Sequence, residues 1–204
     1  MNKLPEIQPN YIIHKPIIQW LIAIILLLIM AGTRYNQIDG HMIPDASIAV
    51  FFAGGFYLRR FYFPIFLSIA GLVDLISITY GGISGFCITA AYFILAIAYA
   101  LVWFLGFLFT KYYQPDQILK TIITFLIFLA IALFGYEILA SGSFYLISGY
   151  FSDQSIFEFI TREIKYFPFV VISFLGYISI FCGIHLLVHV LSKYLSKQRN
   201  TNPI

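Results

Sequence analysis

The chain has 204 residues, of which 61% are hydrophobic and 10% are charged, whereas an average soluble domain is about 45–50% apolar and about 25% charged. This composition excludes an ordinary water-soluble enzyme. The net charge of +3 supports neither a nucleic-acid-binding protein nor an acidic tail. Because the apolar residues form long runs that only a bilayer requires, the sequence predicts a small polytopic membrane protein with one helical domain over residues 1–204.

Six stretches approach the ~20 residues that cross a hydrocarbon core. In chain order they are residues 16–32, 46–58, 64–80, 85–109, 118–141 and 167–191. The second stretch is short, and Asp45 is predicted to cap its N-terminus. The predicted fold class is therefore all-α, with six transmembrane helices.

Six spans place both termini on one side of the membrane, and the basic residues indicate which side it is. The connections on the other side comprise residues 33–45, 81–84 and 142–166. Of the 12 basic residues, these connections hold three, Arg34, Arg162 and Lys165, and all the others fall on the side of the termini. Both termini are therefore predicted to be cytoplasmic.

An ionisable side chain inside the hydrocarbon is a functional candidate, because inserting it costs ~3 kcal/mol or more. Asp74 lies within the third stretch, below its outer end, and a carboxylate that faces a ligand is the favoured role. The alternative is a structural carboxylate that a helix-end amide or a Ser or Thr hydroxyl satisfies. Glu137 is close enough to the end of its span to reach the interface. His185 and His189 share a helix face, and a solvated basic helix end is favoured over a metal site.

Cys87 is one of the two cysteines of the chain, and it follows the short outer connection. Ser84 is predicted to cap the fourth helix, which would place Cys87 in its first turn. A helix N-terminus favours the thiolate form of cysteine and hence nucleophilic or metal-binding chemistry. A buried small residue without chemistry is the alternative. The second cysteine, Cys182, is predicted to be a core residue.

Two segments of the chain resemble the BtuM family, the solitary S-components of energy-coupling-factor (ECF) vitamin transporters of Gram-negative bacteria. The segments read IPDASIAVFFAGGFYLRR and AGLVDLISITYGGISGFCITAAYFILAIAYALVW. Asp74, Cys87 and Tyr92 match, in type and spacing, the aspartate, cysteine and tyrosine that this family places around its ligand. The resemblance covers the second to fourth spans, and the arrangement of six spans with cytoplasmic termini is consistent with it.

The resemblance implies a multi-pass protein of the inner membrane that binds cobalamin from the periplasmic side and takes it up. It implies that the Cys87 thiolate ligates the cobalt with the lower base displaced, that cyanocobalamin loses its cyanide, and that Asp74 and Tyr92 support the site. A soft thiolate is a suitable ligand for a late first-row transition metal. The protein is thus expected to be a transporter first, with decyanation as a possible enzymatic activity.

Further residues are candidates for the rim of the ligand site. Arg34, Asp45 and Arg162 are predicted to contact its amide- and phosphate-bearing edge, since an arginine binds phosphate bidentately. Tyr35 and Tyr166 are predicted to supply flat walls for the macrocycle. For each arginine, an interfacial anchor is the alternative.

Docking to an ECF energising module remains open. Many S-components dock through small residues spaced four apart in the first span. Here Ala23 and Ala31 are eight residues apart, and the residue midway between them is not small. The sequence signal for docking is therefore weak.

Three other functions compete with cobalamin uptake. An S-component-like transporter of a different vitamin would make Cys87 incidental. A structural subunit of a membrane complex would pair Asp74 and Glu137 with partners. A membrane-embedded thiol enzyme ranks last, since Cys87 has no nearby histidine base or resolving cysteine in sequence.

Overall fold

The structure is a computed structural model. It describes residues 16–35, 44–80, 89–114, 116–152 and 154–201, with the side chains of residues 35 and 195–201 outside the description. The described residues form six helices and no strand. These are α1 (Pro16–Tyr35), α2 (Ser47–Tyr57), α3 (Tyr62–Tyr80), α4 (Ala91–Phe109), α5 (Ile118–Ile147) and α6 (Ile156–Thr201).

Five of these helices, all except α2, are long and apolar enough to cross a membrane. Large apolar side chains such as Leu28, Ile138 and Leu186 are more than 60% exposed on α1, α5 and α6. Faces of this kind require an apolar solvent, because in water they would form an extended hydrophobic patch. The structure thus confirms an all-α protein of the multi-pass membrane class, with faces suited to lipid.

The short helix α2 is the centre of the bundle. Nine consecutive residues, from Ser47 to Gly55, are buried, which is typical of a helix that is apolar on every side. At 11 residues and 1.5 Å per residue, α2 is about 16 Å long, so it crosses only part of a ~30 Å hydrocarbon core. Its neighbours α1, α3, α4 and α6 surround it.

Glycines allow α2 and α4 to approach at backbone distance. A Cβ atom added to Gly55 would overlap the carbonyl oxygen of Trp103, and one added to Gly106 would overlap that of Phe52. Only a residue without a side chain permits such a crossing. The ring of Trp103 in turn covers Gly54, which brings the C-terminal half of α2 beside the C-terminal half of α4.

Contacts at the helix ends define the direction of each helix. At one end of the bundle Trp20 of α1 packs edge-on against Tyr62 of α3, and at the other end Arg34 of α1 pairs with Asp74 of α3. Helices α1 and α3 are therefore parallel. Because Ser47 contacts Arg34, α2 begins at the Arg34 end and runs in the opposite direction.

Three predicted boundaries are wrong. The fourth helix begins at Ala91, not at residue 85, because Thr89 and Ala90 form a turn. Helix α5 continues to Ile147 and α6 already begins at Ile156, so most of the predicted outer connection 142–166 is helical. The apolar run of a sequence ends where the hydrocarbon layer ends, whereas a helix can continue beyond that layer. Helix α6 does so, and there Glu158 and Arg162 form an ion pair one turn apart.

Candidate functional site

An arginine and an aspartate form a two-point ion pair where α1, α2, α3 and α4 meet. Nε of Arg34 donates to Oδ1 of Asp74 at 2.8 Å, and Nη2 donates to Oδ2 at 2.7 Å. The two side chains are only 11% and 22% exposed. Parallel packing of α1 and α3 brings them together from 40 residues apart. A bidentate pair of this kind orients the carboxylate as well as neutralising it.

The same guanidinium also holds α2 and α4. Its Nη1 donates to Oγ of Ser47 at 2.8 Å and to Oη of Tyr99 at 2.9 Å. Asp45 lies further away, with Oδ2 3.9 Å from Nη1. Its Oδ1 accepts hydrogen bonds from the N–H and the hydroxyl of Ser47. The prediction that Asp45 is the N-cap of α2 is wrong by one residue, because Ala46 holds that position; Asp45 contacts the start of the helix from the residue before it.

Tyr92 completes the coordination of the aspartate. Its hydroxyl donates to Oδ2 of Asp74 at 2.8 Å, so this oxygen accepts hydrogen bonds from both Tyr92 and Arg34. Among the described residues, the partners of Asp74 are neither a helix-end amide nor a Ser or Thr hydroxyl, the alternatives considered from the sequence. An ion pair with Arg34 and a tyrosine hydroxyl satisfy it. The set Arg34, Asp45, Ser47, Asp74, Tyr92 and Tyr99 is called the outer polar cluster below.

A cavity of about 60 Å³ adjoins the outer polar cluster. Arg34, Tyr92 and Tyr99 line it together with the small residues Ala70, Gly71 and Ala96, and its walls are mainly apolar. A space of this size has room for only a few atoms. A tetrapyrrole-sized ligand is many times larger, so any such ligand would bind outside this cavity.

Two of the predicted rim residues lie on α6. Arg162 is about half exposed, pairs with Glu158 and has its guanidinium 4.6 Å from the ring centre of Phe151. Tyr166 is 54% exposed one turn further along. Within the described part of the chain, neither side chain forms a hydrogen bond or ion pair with the outer polar cluster. Arg34, in contrast, is directed into the bundle, where Asp74, Ser47 and Tyr99 use its donors.

The remaining predicted residues lie outside the description. Cys87 belongs to residues 81–88, which the structure does not describe, as does its predicted cap Ser84. The side chain of Tyr35 is also outside the described residues. Their predicted roles in ligand binding remain predictions.

Two polar side chains have more contacts inside the bundle than the sequence indicated. Glu137 is 9% exposed and accepts a hydrogen bond from Ser141, so its side chain is enclosed by the bundle. His185 is half-buried, and both its ring nitrogens contact tyrosine hydroxyls. Its spacing to His189 was visible in the sequence, but its partners come from two distant segments.

Four of the six members of the cluster, Arg34, Asp45, Asp74 and Tyr92, were predicted from the sequence to belong to one ligand site, and two, Ser47 and Tyr99, were not. In the comparisons, the chain matches no protein-family model and no curated protein.

Proposed function

We propose that this chain is a solitary, S-component-like transporter that binds cobalamin from the periplasmic side of the bacterial inner membrane. The single observation that carries the proposal is the 2.8 Å hydrogen bond from Tyr92 to Asp74. The resemblance to the BtuM family assigns both residues to one ligand site, and they are in contact although they lie on different helices. Cys87, the third residue of that assignment, lies between them in the sequence.

The proposed topology has six membrane passages with both termini in the cytoplasm. In support, α2 runs back from the Arg34 end towards Arg59 and Arg60, and so supplies a passage between the parallel helices α1 and α3. Because its neighbours bury it, α2 does not need the apolar length that a lipid-exposed span requires. The excess of basic residues on the side of the termini supports the orientation.

The proposed chemistry is ligand exchange at cobalt. The Cys87 thiolate binds the metal in place of the lower base, and cyanide leaves the opposite face with the bonding electron pair. The oxidation state of the cobalt is unchanged in this step. A thiolate is a soft, electron-rich ligand, and cobalt binding keeps the sulfur deprotonated.

Within this proposal the outer polar cluster is the support beneath the ligand. Arg34 donates to both oxygens of Asp74, and Asp74 in turn accepts a hydrogen bond from the Tyr92 hydroxyl. The lone pairs of the Tyr92 oxygen then remain for a donor on the ligand side. The corrinoid itself would lie outside the 60 Å³ cavity, nearer the outer ends of α3 and α4.

An ECF energising module is not part of the proposal. Ala23, one of the two small residues considered for docking, is buried in the core at 1% exposure. The lipid-facing side of α1 carries the large side chains Leu21, Ile24, Ile25 and Leu28. These prevent the close helix approach that small residues allow.

An absorbance spectrum tests the proposal. The protein is purified in detergent, mixed with cyanocobalamin, and compared with the variants Cys87→Ser and Cys182→Ser. We expect a shift of the corrinoid bands in the wild type and in Cys182→Ser, and no shift in Cys87→Ser, because only Cys87 would ligate cobalt. Free cyanide released into solution gives an independent readout of decyanation.

The outcomes separate the competing functions. A shift of the corrinoid bands that survives in Cys87→Ser would contradict thiolate ligation. If the wild type binds no corrinoid at all, cobalamin is the wrong ligand, and a transporter of another vitamin or a structural subunit takes its place.

A further inference from the structure

A histidine and two tyrosines join α6 to the rest of the bundle at the end opposite to the outer polar cluster. Nδ1 of His185 lies 2.8 Å from Oη of Tyr57, the last residue of α2, and Nε2 lies 3.0 Å from Oη of Tyr113. Tyr113 belongs to the connection between α4 and α5. Three segments, distant in sequence, thus meet at a single imidazole.

The protonation states of this cluster follow from its geometry. A neutral imidazole has one N–H donor and one acceptor, so one tyrosine donates to the ring and the other accepts from it. Burial raises the pKa of Tyr113 above its ordinary value, which keeps its hydroxyl neutral. The rings of Phe56 and Tyr113 pack edge-on against the imidazole, with centroids 6.0 Å and 5.7 Å away. The contact is therefore specific in both hydrogen bonding and shape.

The positions of these contacts along α6 define how the helix is held. Near its middle, Ser173 donates to the carbonyl oxygen of Asp45 and Tyr177 donates to that of Pro44. His185 follows Tyr177 by eight residues, about 12 Å along the helix. Only 11% of the apolar span of α6 is buried in the bundle. Helix α6 is thus a sparsely packed element, with polar attachments near its start, where Tyr145 of α5 donates to Glu158, at its middle and at His185.

The end of the bundle at which His185 lies is also defined. Tyr57 and Ser47 are ten residues apart on α2, about 15 Å, and Ser47 belongs to the outer polar cluster. The arginines Arg59 and Arg60 follow Tyr57 after one intervening residue, and both are exposed. A ligand that entered at the outer polar cluster would have to leave past this end.

We propose that Tyr57, His185 and Tyr113 form a latch that closes the cytoplasmic end of the bundle and that opens when α6 moves away from α2 and the α4–α5 connection. The assignment of the cytoplasmic side, and the passage of a ligand through the opening, rest on the proposed function. The latch itself rests on the two hydrogen bonds. Opening breaks both of them and exposes the surface of α6 that precedes His185.

The chain carries its own reporter for this opening. Cys182 precedes His185 by three residues, which places it on the same helix face, and it is half-buried against the core. In the variant Cys87→Ser it is the only thiol of the chain, since the sequence has two cysteines. Its rate of modification by N-ethylmaleimide in detergent then reports how often the latch is open.

Three variants are compared in this background. Tyr113→Phe removes one hydrogen bond and should speed modification about fivefold, the change in equilibrium that one typical hydrogen bond represents. His185→Phe keeps an aromatic ring but removes both hydrogen bonds, so we expect about 25-fold. His189→Phe, one turn further along α6, is the matched control and should leave the rate unchanged. Elution as a single monodisperse peak verifies that each variant is folded.

Modification at the parent rate in both His185→Phe and Tyr113→Phe would overturn the latch. So would an equal acceleration in His189→Phe, because it would indicate general loosening of α6. If His185→Phe does not fold, the milder Tyr113→Phe decides the test alone. The labelling measurement needs no corrinoid. Its outcome therefore does not depend on whether the absorbance experiment supports the cobalamin proposal.

Discussion

Substitution of Arg34 by glutamine tests whether the outer polar cluster stabilises the bundle. Arg34→Gln removes the guanidinium that donates to Asp74, Ser47 and Tyr99. The carboxylate of Asp74 would then remain at 22% exposure with Tyr92 as its hydrogen-bond donor. Removing one partner of a buried pair in this way destabilises a protein by about 3–5 kcal/mol.

This free energy converts to a measurable shift in melting temperature. For a chain of this size, each kcal/mol lowers Tm by about 2–4 °C, so Arg34→Gln should lower it by roughly 6–20 °C. Thermal unfolding of the detergent-solubilised protein, followed by circular dichroism, measures the shift.

The chain contains a matched control. Arg162→Gln makes the same change in an ion pair whose side chains are 46% and 40% exposed, where such pairs contribute about 0.5 kcal/mol or less. Its Tm should fall by no more than about 2 °C. The double variant Arg34→Gln with Asp74→Asn should recover part of the loss, because the uncompensated charge is gone. Equal shifts in Arg34→Gln and Arg162→Gln would refute the reasoning, and so would a double variant that is less stable than Arg34→Gln.

Two further substitutions test the helix crossing and the tyrosine contact. Gly106→Ala should lower the free energy of unfolding by about 1–3 kcal/mol, since its Cβ would overlap the carbonyl of Phe52. Thermal unfolding measures this loss. The control is Gly142→Ala, which has open space around its Cβ and should be neutral or stabilising. A Gly106→Ala protein as stable as Gly142→Ala would contradict the close crossing. Tyr92→Phe removes the hydrogen bond to Asp74 and should cost about 1 kcal/mol. In the cobalamin experiment it should weaken the absorbance shift more than the loss of stability explains, and an unchanged spectrum would exclude Tyr92 from the proposed site.

The local composition of the chain was sufficient to predict its class and the central parts of its helices. The stretches 64–80 and 118–141 both fall within helices of the structure, because an apolar run of bilayer length has few alternatives to a helix in lipid. Asp74 was also identified from the sequence as a functional candidate, because it is an ionisable residue inside a span. The physical cause in both cases is the free-energy cost of placing polar groups in hydrocarbon. This cost depends on the composition of each segment alone, so it can be read from the local sequence.

The helix ends were less predictable. Helix α6 extends ten residues or more towards both termini beyond the predicted span 167–191, through Arg162 and Lys165 before it and Lys193 after it. Charged residues end the apolar run, but they do not end the helix, because they pair with one another or reach water. The helix also continues through Pro168, because transmembrane helices tolerate proline.

The sequence alone thus determined that this is a helical membrane protein with an unusual intramembrane carboxylate, since those properties depend on residues close together in the chain. Only the tertiary structure decided which residues satisfy that carboxylate, because the pairing of Arg34 with Asp74 requires α1 and α3 to be parallel and in register. The same holds for His185, whose partners Tyr57 and Tyr113 come from α2 and the α4–α5 connection. Contacts between side chains 40 to 128 residues apart depend on how the helices pack, and no local pattern in the sequence records that packing.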